Sequence, residues 1–205
     1  MPRLPIAVRR LEILEGAMIA LKTRGLADLR IKDIADASGA STATIHYHFS
    51  DLGELLLSVH DLATDRFARA RVDLVSTVPD AREKLRLLAA TGLPVDEHDA
   101  LVSSLYELHS LHRKYPTHKR LVKLLFDQQV DLYASVLEIG VAQGHFALTR
   151  PARDVAALAV ALEDAFGLHI TSQSGSIPVA EAQRLLNVFL AESTGWDGIV
   201  MEVGA

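Results

Sequence analysis

The sequence predicts an all-α protein of about nine helices. Apolar residues recur every three or four positions along nearly the whole chain, which is the spacing of one face of an α-helix. No segment of useful length alternates apolar and polar residues as a half-buried strand does. Each break between the periodic segments contains Gly or Pro, the residues that most often end helices.

Signals at the helix ends support this assignment. Ser41 is placed to cap the third helix, and Asp51 with Glu54 resembles a capping box before the fourth. Gly39 permits a tight turn between the second and third helices. The predicted helices, with ends good to about two residues, are Ala7–Thr23, Ile31–Ala37, Thr42–His48, Leu52–Ser76, 80–91, 96–113, 117–143, 151–173 and 179–193.

The composition indicates a globular protein with a real core. The 205 residues are 49% hydrophobic and 23% charged, enough for one large domain or a small one plus a medium one. Cysteine is absent, which excludes disulfides and thiolate metal sites.

The longest clean apolar run, Val155–Leu162, is far shorter than the ~20 residues that span a membrane. No apolar signal core follows the N-terminal arginines, so we expect a cytoplasmic protein without a membrane partner.

The charge is unevenly distributed. The formal net charge is −5, but residues 1–50 carry +2 and the remainder carries −7. A basic head on an acidic body suits a protein that meets nucleic acid with one end only. We therefore expect a DNA-binding domain over residues 1–50 and an effector-binding and dimerisation domain over residues 51–205.

The segment Ile31–Phe49 has the pattern of a helix-turn-helix. Ile34 on the first short helix and Ile45 and Phe49 on the second face inward. The outward positions of the second helix are small or polar, as a major groove requires for contacts to bases and phosphates. These positions are Thr42, Ala43, Thr44, His46, Tyr47 and His48.

The stretch from Ile13 to Leu57 resembles the DNA-binding domain of the TetR family. The resemblance rests on short motifs that occur in the family's order and spacing. They are Ile13-Leu14-Glu15-Gly16-Ala17, Arg24-Gly25-Leu26, Asp33-Ile34-Ala35, Ser38-Gly39-Ala40-Ser41, Ile45-His46-Tyr47-His48-Phe49 and Glu54-Leu55-Leu56. The resemblance implies a transcriptional regulator, namely a homodimeric repressor that binds a near-palindromic operator and responds to a small-molecule effector.

Family roles transfer to matching positions. Thr42 and Thr44 occupy positions that touch bases or phosphates, and Tyr47 and His48 occupy phosphate-contact positions. The chain departs from the family at Leu29 and Arg30, where hydroxyl residues are usual, and at Leu52, where Lys is usual. The expected DNA-binding residues are Arg9, Arg10, Arg30, Ser41, Thr42, Thr44, His46, Tyr47 and His48.

The C-terminal body resembles betaine-regulator-like members of the same family. The matching motifs are Gly140–Phe146 and the apolar helix that ends Glu163–Leu168. The eighth helix has large residues on one side, including Leu158 and His169, and small residues on the other. We expect the large side to face the core and the small side to meet a second subunit. The expected dimer-interface residues are Ala157, Ala161, Leu168, Leu186 and Phe189.

Polar residues on apolar helix faces are candidates for an effector pocket. The seventh helix is apolar on two sides, one through Leu121, Leu124 and Ile139 and the other through Val130 and Tyr133 and their neighbours. Gln128 falls within the first of these stripes. The full candidate set is Arg66, Tyr106, His109, His112, Gln128 and His169. The alternative is that each polar group is satisfied within the core, and that Arg66 pairs with a nearby acid.

Other function classes find little support. The chain contains no G-x-S-x-G, no phosphate-cradling glycine loop and no H-E-x-x-H, so we expect no enzyme and no cofactor. His109 and His112 have a spacing that could point two imidazoles one way, but no third metal ligand follows, so we expect no metal. A helical ligand- or protein-binding module without sequence-specific DNA binding remains the alternative function.

Overall fold

The computed structural model describes residues 5–113, 115–172 and 174–200, and over these ranges the protein is helical with no strand. Two 3₁₀ turns, Ser110–Arg113 and Asp197–Ile199, follow α6 and α9. The predicted all-α fold class is confirmed. The described α-helices are α1 (Ile6–Arg24), α2 (Ile31–Ser38), α3 (Thr42–His48), α4 (Leu52–Ser76), α5 (Ala81–Thr91), α6 (Ala100–His109), α7 (Pro116–Ala142), α8 (Ala152–Thr171) and α9 (Val179–Thr194).

Helices α3 and α4 begin and end where the sequence predicts. Ser41 Oγ accepts a hydrogen bond from the backbone N–H of Thr44 at 3.0 Å, which caps α3. At the start of α4, the N–H of Glu54 donates to Asp51 at 2.8 Å. The carboxylate of Glu54 accepts from the N–H of Ser50 at 2.8 Å, so the start resembles a capping box whose return bond reaches one residue before the cap. Gly39 has φ 64°, the left-handed conformation that the turn needs.

Helix α6 begins at Ala100, four residues later than the predicted start. The preceding residues form a local turn instead. Asp96 accepts from the N–H of His98 at 2.6 Å, and Asp99 accepts from the N–H of Val95 at 3.4 Å. Aspartate side chains that bond nearby backbone groups compete with helix formation, which explains the late start.

The chain divides into two compact units. The first contains the residues up to Arg66 together with Ala100–Val122, and the second contains Phe67–Asp99 and the chain from Lys123 onward. The division falls inside α4 rather than near residue 50. The assignment of DNA binding to residues 1–50 concerns function, and it stays a prediction.

In the first unit, α1 lies against the end of α2. A Cβ on Gly16 would lie 2.5 Å from Cβ of Ser38, so only glycine permits this approach. Buried apolar side chains from α1 to α4 fill the unit's centre, and together they hold α3 at a defined angle. They include Ile13, Ala17, Leu21, Leu29, Ile34, Ile45, Phe49, Leu55 and Val59.

In the second unit, helices α5, α7, α8 and α9 and the end of α4 share one apolar core. After α7 the chain turns back so tightly that a Cβ on Gly140 would lie 2.0 Å from the ring of Phe146. The motif around Gly140 therefore anchors the entry to α8. The largest buried core residues include Val75, Leu85, Leu88, Val130, Tyr133, Leu137, Phe146, Val155, Val160, Leu186 and Leu190.

The two apolar sides of α7 are not equally buried. Val130 and Tyr133 are buried, whereas Leu124 and Ile139 are exposed, and Gln128 is exposed with them. A helix with two apolar sides does not reveal which side the core covers, because periodicity alone treats both sides equally.

The expected orientation of α8 also needs correction. Leu158 and His169 are exposed, although both were expected on the core side, and Gly167 is buried. Apart from Glu163, the core side of α8 consists of small and β-branched residues, which allow close packing against neighbouring helices. Residue size therefore did not indicate the buried face of this helix.

Candidate nucleic-acid interface and buried polar clusters

Helix α3 presents a polar face to solvent. Thr42, His46 and Tyr47 are exposed, and Tyr47 has 70% of its surface accessible. Thr44 is half-buried, and its hydroxyl lies 2.8 Å from that of Ser41. The opposite side of α3 is anchored by buried apolar residues, so the exposed side chains project from a fixed helix.

Arg10 holds the C-terminal end of α3. Its guanidinium donates to the carbonyl of His48 at 3.0 Å and to Ser58 Oγ at 2.9 Å. It also lies over the ring of Phe49, 4.1 Å from the centroid. A cation at the last carbonyls of a helix stabilises its end. The geometry therefore gives Arg10 a positioning role, and its expected contact with DNA stays a prediction.

The other predicted contact residues are distributed around this helix. Arg9 forms an ion pair with Glu12 at 2.8 Å, and the side chain of Arg30 is exposed at the start of α2. Leu29 is buried, so its departure from the family pattern serves the core. Leu52 is half-buried at the first residue of α4.

The predicted effector residues have different surroundings. Arg66 makes an ion pair with Glu15 of α1 at 2.7 Å, which is the alternative role expected for it, pairing with a nearby acid. Tyr106 is half-buried on α6, and His109 is exposed. The side chain of His112 lies outside the described residues.

The buried glutamine of α7 is Gln129, not Gln128. Gln128 is exposed, whereas Gln129 is only 3% exposed, because one residue rotates the side chain by about 100° around a helix. His169 is likewise exposed near the end of α8. The expectation that Gln128 and His169 lie on buried faces is therefore wrong.

Gln129 belongs to a buried network that the sequence patterns did not reveal, called here the Arg71 cluster (Arg71, Gln129, Tyr133 and Glu163). Arg71 donates to both carboxylate oxygens of Glu163, at 2.9 and 3.0 Å, and to Gln129 Oε1 at 2.7 Å. It also donates to the carbonyl of Leu88 at 3.0 Å, and the hydroxyl of Tyr133 donates to Glu163 at 2.5 Å. All these groups lie in the second unit.

The Arg71 cluster is charged and almost fully buried. Arg71 and Glu163 are each at least nine-tenths buried. Burial lowers the pKa of Arg71, but Glu163 and Tyr133 outweigh it and raise this pKa above its ordinary value. Burial and the nearby Glu163 charge raise the pKa of Tyr133, so its hydroxyl keeps its proton. Arg71 Nε and Gln129 Nε2 have no acceptor among the described residues, and each such donor costs about 1–3 kcal/mol.

The first unit contains a second buried polar pair. His60 on α4 and His118 on α7 stack with their Nδ1 atoms 2.8 Å apart. One ring must carry hydrogen on Nδ1 and the other must accept, so the accepting ring is neutral. Burial, and then the charges of His118 and His109, lower the pKa of His60 to about 4. Burial also lowers the pKa of His118.

A signal for the Arg71 cluster was present in the sequence. Glu163 follows an apolar run on α8, and Arg71 lies four residues from both Phe67 and Val75 on α4. An acid and a base that both fall on apolar stripes predict a buried ion pair. For the histidine pair, His60 had the same signal between Leu56 and Thr64, but nothing indicated its partner.

The expected dimer residues are mostly accessible. Ala161 and Leu168 are exposed on α8, and Ala157 and Phe189 are half-buried. Leu186 is 0% exposed and belongs to the core of its own subunit, so its assignment to an interface is wrong. Exposed Leu158 and Leu185 extend the apolar surface of α8 and α9 instead.

Other features of the described residues are limited. A cleft of about 460 Å³ at the start of α9 includes none of the predicted effector residues; its lining is Pro178, Ala180, Glu181, Arg184, Asn187 and Val200. The described part of the chain has no group of three or more His, Cys, Asp or Glu side chains that could hold a metal ion. Among the helices of that part, none combines the length and the apolar character required to cross a bilayer.

Comparison with known proteins places the helix-turn-helix in a family. Residues 13–59 match the family described as bacterial regulatory proteins, tetR family. Over 151 residues the chain is 28% identical to the HTH-type transcriptional repressor KstR2 of Mycobacterium tuberculosis, with 72% of each protein covered. It is 30% identical over 98 residues to the HTH-type transcriptional regulator BetI of Escherichia coli, covering 47% of this chain and 50% of that protein.

A solved structure extends the similarity to nearly the whole chain. A putative transcriptional regulator from Saccharomonospora viridis, in complex with choline, superposes with a TM-score of 0.82 at 28% identity. The alignment covers 92% of this chain and 98% of that one. The similarity therefore includes the helical body as well as the helix-turn-helix.

Proposed function

Because the chain belongs to the TetR family of bacterial regulatory proteins, we propose that it represses transcription by binding operator DNA through α3 and releases DNA when a small molecule binds. The observation that carries this proposal is the polar face of α3. Thr42, Thr44 and Tyr47 project from a helix whose other side is fixed in the core. A rigid polar helix of this kind suits the major groove.

The contacts divide into two kinds. Thr42 and Thr44 offer hydroxyls to base edges or phosphates near the start of α3, and Tyr47 and His48 reach phosphates near its end. Ser41, Arg30 and His46 extend the surface, and they stay proposed contacts together with Arg9. Arg10 acts through α3, because its donors are engaged with His48 and Ser58.

Operator binding of this type requires two copies of the chain. We propose that α8 and α9 form the dimer contact through their accessible apolar residues, including exposed Ala161 and Leu168 and half-buried Phe189. Exposed apolar surface of this kind usually marks an interaction site. A two-fold dimer would place the α3 helices about one DNA turn apart, ~34–36 Å, on a near-palindromic site.

The relatives support effector control. KstR2 is named a repressor, and the Saccharomonospora viridis protein was crystallised with choline. An effector acts by binding one conformation of the regulator more tightly than the other, and typical couplings are about 1–3 kcal/mol. The assignment of Tyr106, His109, His112 and His169 to this site stays a proposal without further support.

The test of DNA binding uses two matched substitutions. A site is first selected from a random duplex library with the wild-type protein, and affinities are then measured by fluorescence anisotropy at several salt concentrations. Thr42→Asp places a carboxylate in the first turn of α3, where it stabilises the helix but repels DNA. Thr117→Asp makes the same change in the first turn of α7 and is the control.

We expect Thr42→Asp to weaken binding at least about tenfold and Thr117→Asp to leave it near the wild-type value. Titration should show two chains for each selected duplex. Equal affinity of the two variants would show that α3 does not contact DNA. Failure to select any site, with only salt-sensitive binding to all sequences, would favour a helical module without sequence-specific DNA binding.

A further inference from the structure

The positive charge of the first compact unit comes from its second segment. Residues 1–66, which include the helix-turn-helix, contain eight Lys or Arg and nine Asp or Glu, a net charge of −1. Residues 100–122 contain four Lys or Arg and one acid, Glu107, a net charge of +3. The unit that carries the proposed DNA contacts is therefore positive only because α6, the 3₁₀ turn and the start of α7 belong to it. A net positive charge attracts DNA and raises the rate at which a protein meets it.

Three of these cations are exposed and are called here the α7 basic face (Arg113, Lys119 and Arg120). Arg113 ends the 3₁₀ turn just before α7, and the other two lie in the first two turns of the helix. His118 and Leu121 lie on the opposite side of α7 and are buried. No acidic side chain pairs with the α7 basic face among the described residues. Its three charges are therefore available to a partner.

Two contacts hold this face against the DNA-binding helices. Glu107 of α6 accepts a hydrogen bond from the N–H of Leu26, in the turn that leads to α2, at 3.3 Å. At the start of α7, Nδ1 of His118 lies 2.8 Å from Nδ1 of His60 on α4. Along α4, His60 is about 12 Å of helix from Leu52, where α4 begins directly after α3. The α7 basic face therefore belongs to the same compact body as α3.

The phosphate backbone of DNA is the partner that this face fits. Its side chains are long and exposed, they carry only positive charge, and Lys119 and Arg120 project from neighbouring positions of one helix. Lys and Arg of this kind bind phosphates without reading bases, because the phosphates carry no sequence information. The proposed function already brings a polyanion to this unit, so no additional partner is required.

We propose that the α7 basic face binds phosphates of the DNA that flanks the operator, outside the base pairs that α3 reads. This inference rests on the proposed function, because both contacts are made to one duplex. The flanking contact strengthens binding to every sequence, since counterions are released from each phosphate that a cation neutralises. Helix α3 continues to select the sequence through its contacts to base edges.

The test removes the three charges and replaces them with a good helix former. Arg113→Gln/Lys119→Gln/Arg120→Gln is compared with the wild type on the selected operator, extended on each side by about two helical turns of duplex. Binding is measured by fluorescence anisotropy at several salt concentrations. We expect the variant to bind at least about tenfold more weakly at low salt. The slope of log affinity against log salt concentration should fall by about 0.9 for each lost phosphate contact.

A charge-matched control separates this contact from the effect of net charge. Three accessible arginines of the second unit are replaced in the same way, as Arg82→Gln/Arg150→Gln/Arg153→Gln, and this variant should stay near the wild-type affinity and salt slope. Circular dichroism and thermal melting establish that both variants are folded. A duplex trimmed to the operator core provides a second readout. The wild type should bind it more weakly than the extended duplex, whereas the basic-face variant should bind both lengths equally.

Three results would overturn the inference. They are equal affinity and salt slope of the basic-face variant and the wild type, an equal loss in the control variant, and equal binding of the two duplex lengths by the wild type. The first would mean that the α7 basic face is a solvated surface. Sequence-specific operator binding that does not respond to the substitutions rejects this inference alone, whereas failure of the wild type to select any site rejects the proposed function.

Discussion

Helix α4 carries two buried ionisable groups that have different kinds of partner. His60, in the first unit, meets a second neutral ring, and Arg71, in the second unit, meets a carboxylate. The histidine pair avoids buried charge because both rings are neutral. The Arg71 cluster keeps its charges: Arg71 also donates to Gln129 and to the carbonyl of Leu88, and Tyr133 donates to Glu163. Two polar groups that are equally buried can therefore affect stability differently, because one is neutral and the other is charged.

The largest expected effect comes from removing one charge of the Arg71–Glu163 ion pair while the other stays buried. Glu163→Gln should lower the free energy of unfolding by about 3–5 kcal/mol, because it leaves Arg71 buried without a counter-charge. The double variant Arg71→Met/Glu163→Leu removes both charges and should recover more than half of that loss. Urea unfolding followed by circular dichroism measures both values.

If the double variant is as unstable as Glu163→Gln, the loss arises from packing rather than from an unpaired charge. Tyr133→Phe is a useful companion variant, because it removes one hydrogen bond to Glu163 and leaves the ion pair intact. Its expected cost is about 1.5–3 kcal/mol, below that of Glu163→Gln.

The histidine pair should produce a smaller effect that depends on pH. The pKa of His60 is about 4 in the folded protein against an ordinary value of 6.5, so the folded state binds the proton less readily than the unfolded chain does. Stability from this group is fully present above pH 6.5 and is lost as the pH falls towards 4. The free energy of unfolding should fall by about 2 kcal/mol between pH 7.5 and 5 through this group.

Replacing the pair removes this pH dependence. His60→Leu/His118→Leu should have a flatter pH profile than the wild type, whatever its absolute stability. His169→Gln, at an exposed histidine, should leave the slope unchanged. A wild-type slope that persists in the double leucine variant would assign the pH dependence to other groups.

The smallest expected effect concerns Arg66, which lies between the two buried groups on α4. Its partner Glu15 is substantially exposed, and water screens such pairs. A double-mutant cycle with Arg66→Ala and Glu15→Ala should give a coupling of about 0.2–1 kcal/mol that decreases with added salt. A coupling of several kcal/mol would show that the Arg66–Glu15 pair is protected from water more than its exposure in the structure indicates.

The sequence predicted the head of the molecule better than its body. The boundaries of α3 and α4 depend on local signals, such as the Ser41 cap and the Asp51–Glu54 pattern, and these act within a few residues. Which side of α7 or α8 is buried depends on helices far away in the chain. Leu158 and Gln128 were misplaced because each helix has more than one apolar side, and local periodicity does not choose between them.

The same limit applies to the arginines of α4. Arg66 and Arg71 both interrupt apolar positions, and long amphipathic side chains can lie along either an exposed or a buried surface. Only the acid in α8 distinguishes them, since Glu163 needs a buried cation as its partner. The pairing is long-range information, which the periodicity of a single helix does not contain.

The contact between Gly92 and Glu163 has a consequence for sequence variation. A Cβ on Gly92 would lie 1.6 Å from a carboxylate oxygen of Glu163, while the backbone of Gly92 has φ −82° and ψ −22°, which any residue can adopt. The glycine is therefore required by its neighbour and not by its own conformation. Positions 92 and 163 should vary together among related proteins: a larger residue at 92 should accompany a shorter one at 163. Mutagenesis libraries that vary position 92 alone, with Glu163 kept, will therefore contain mostly destabilised proteins.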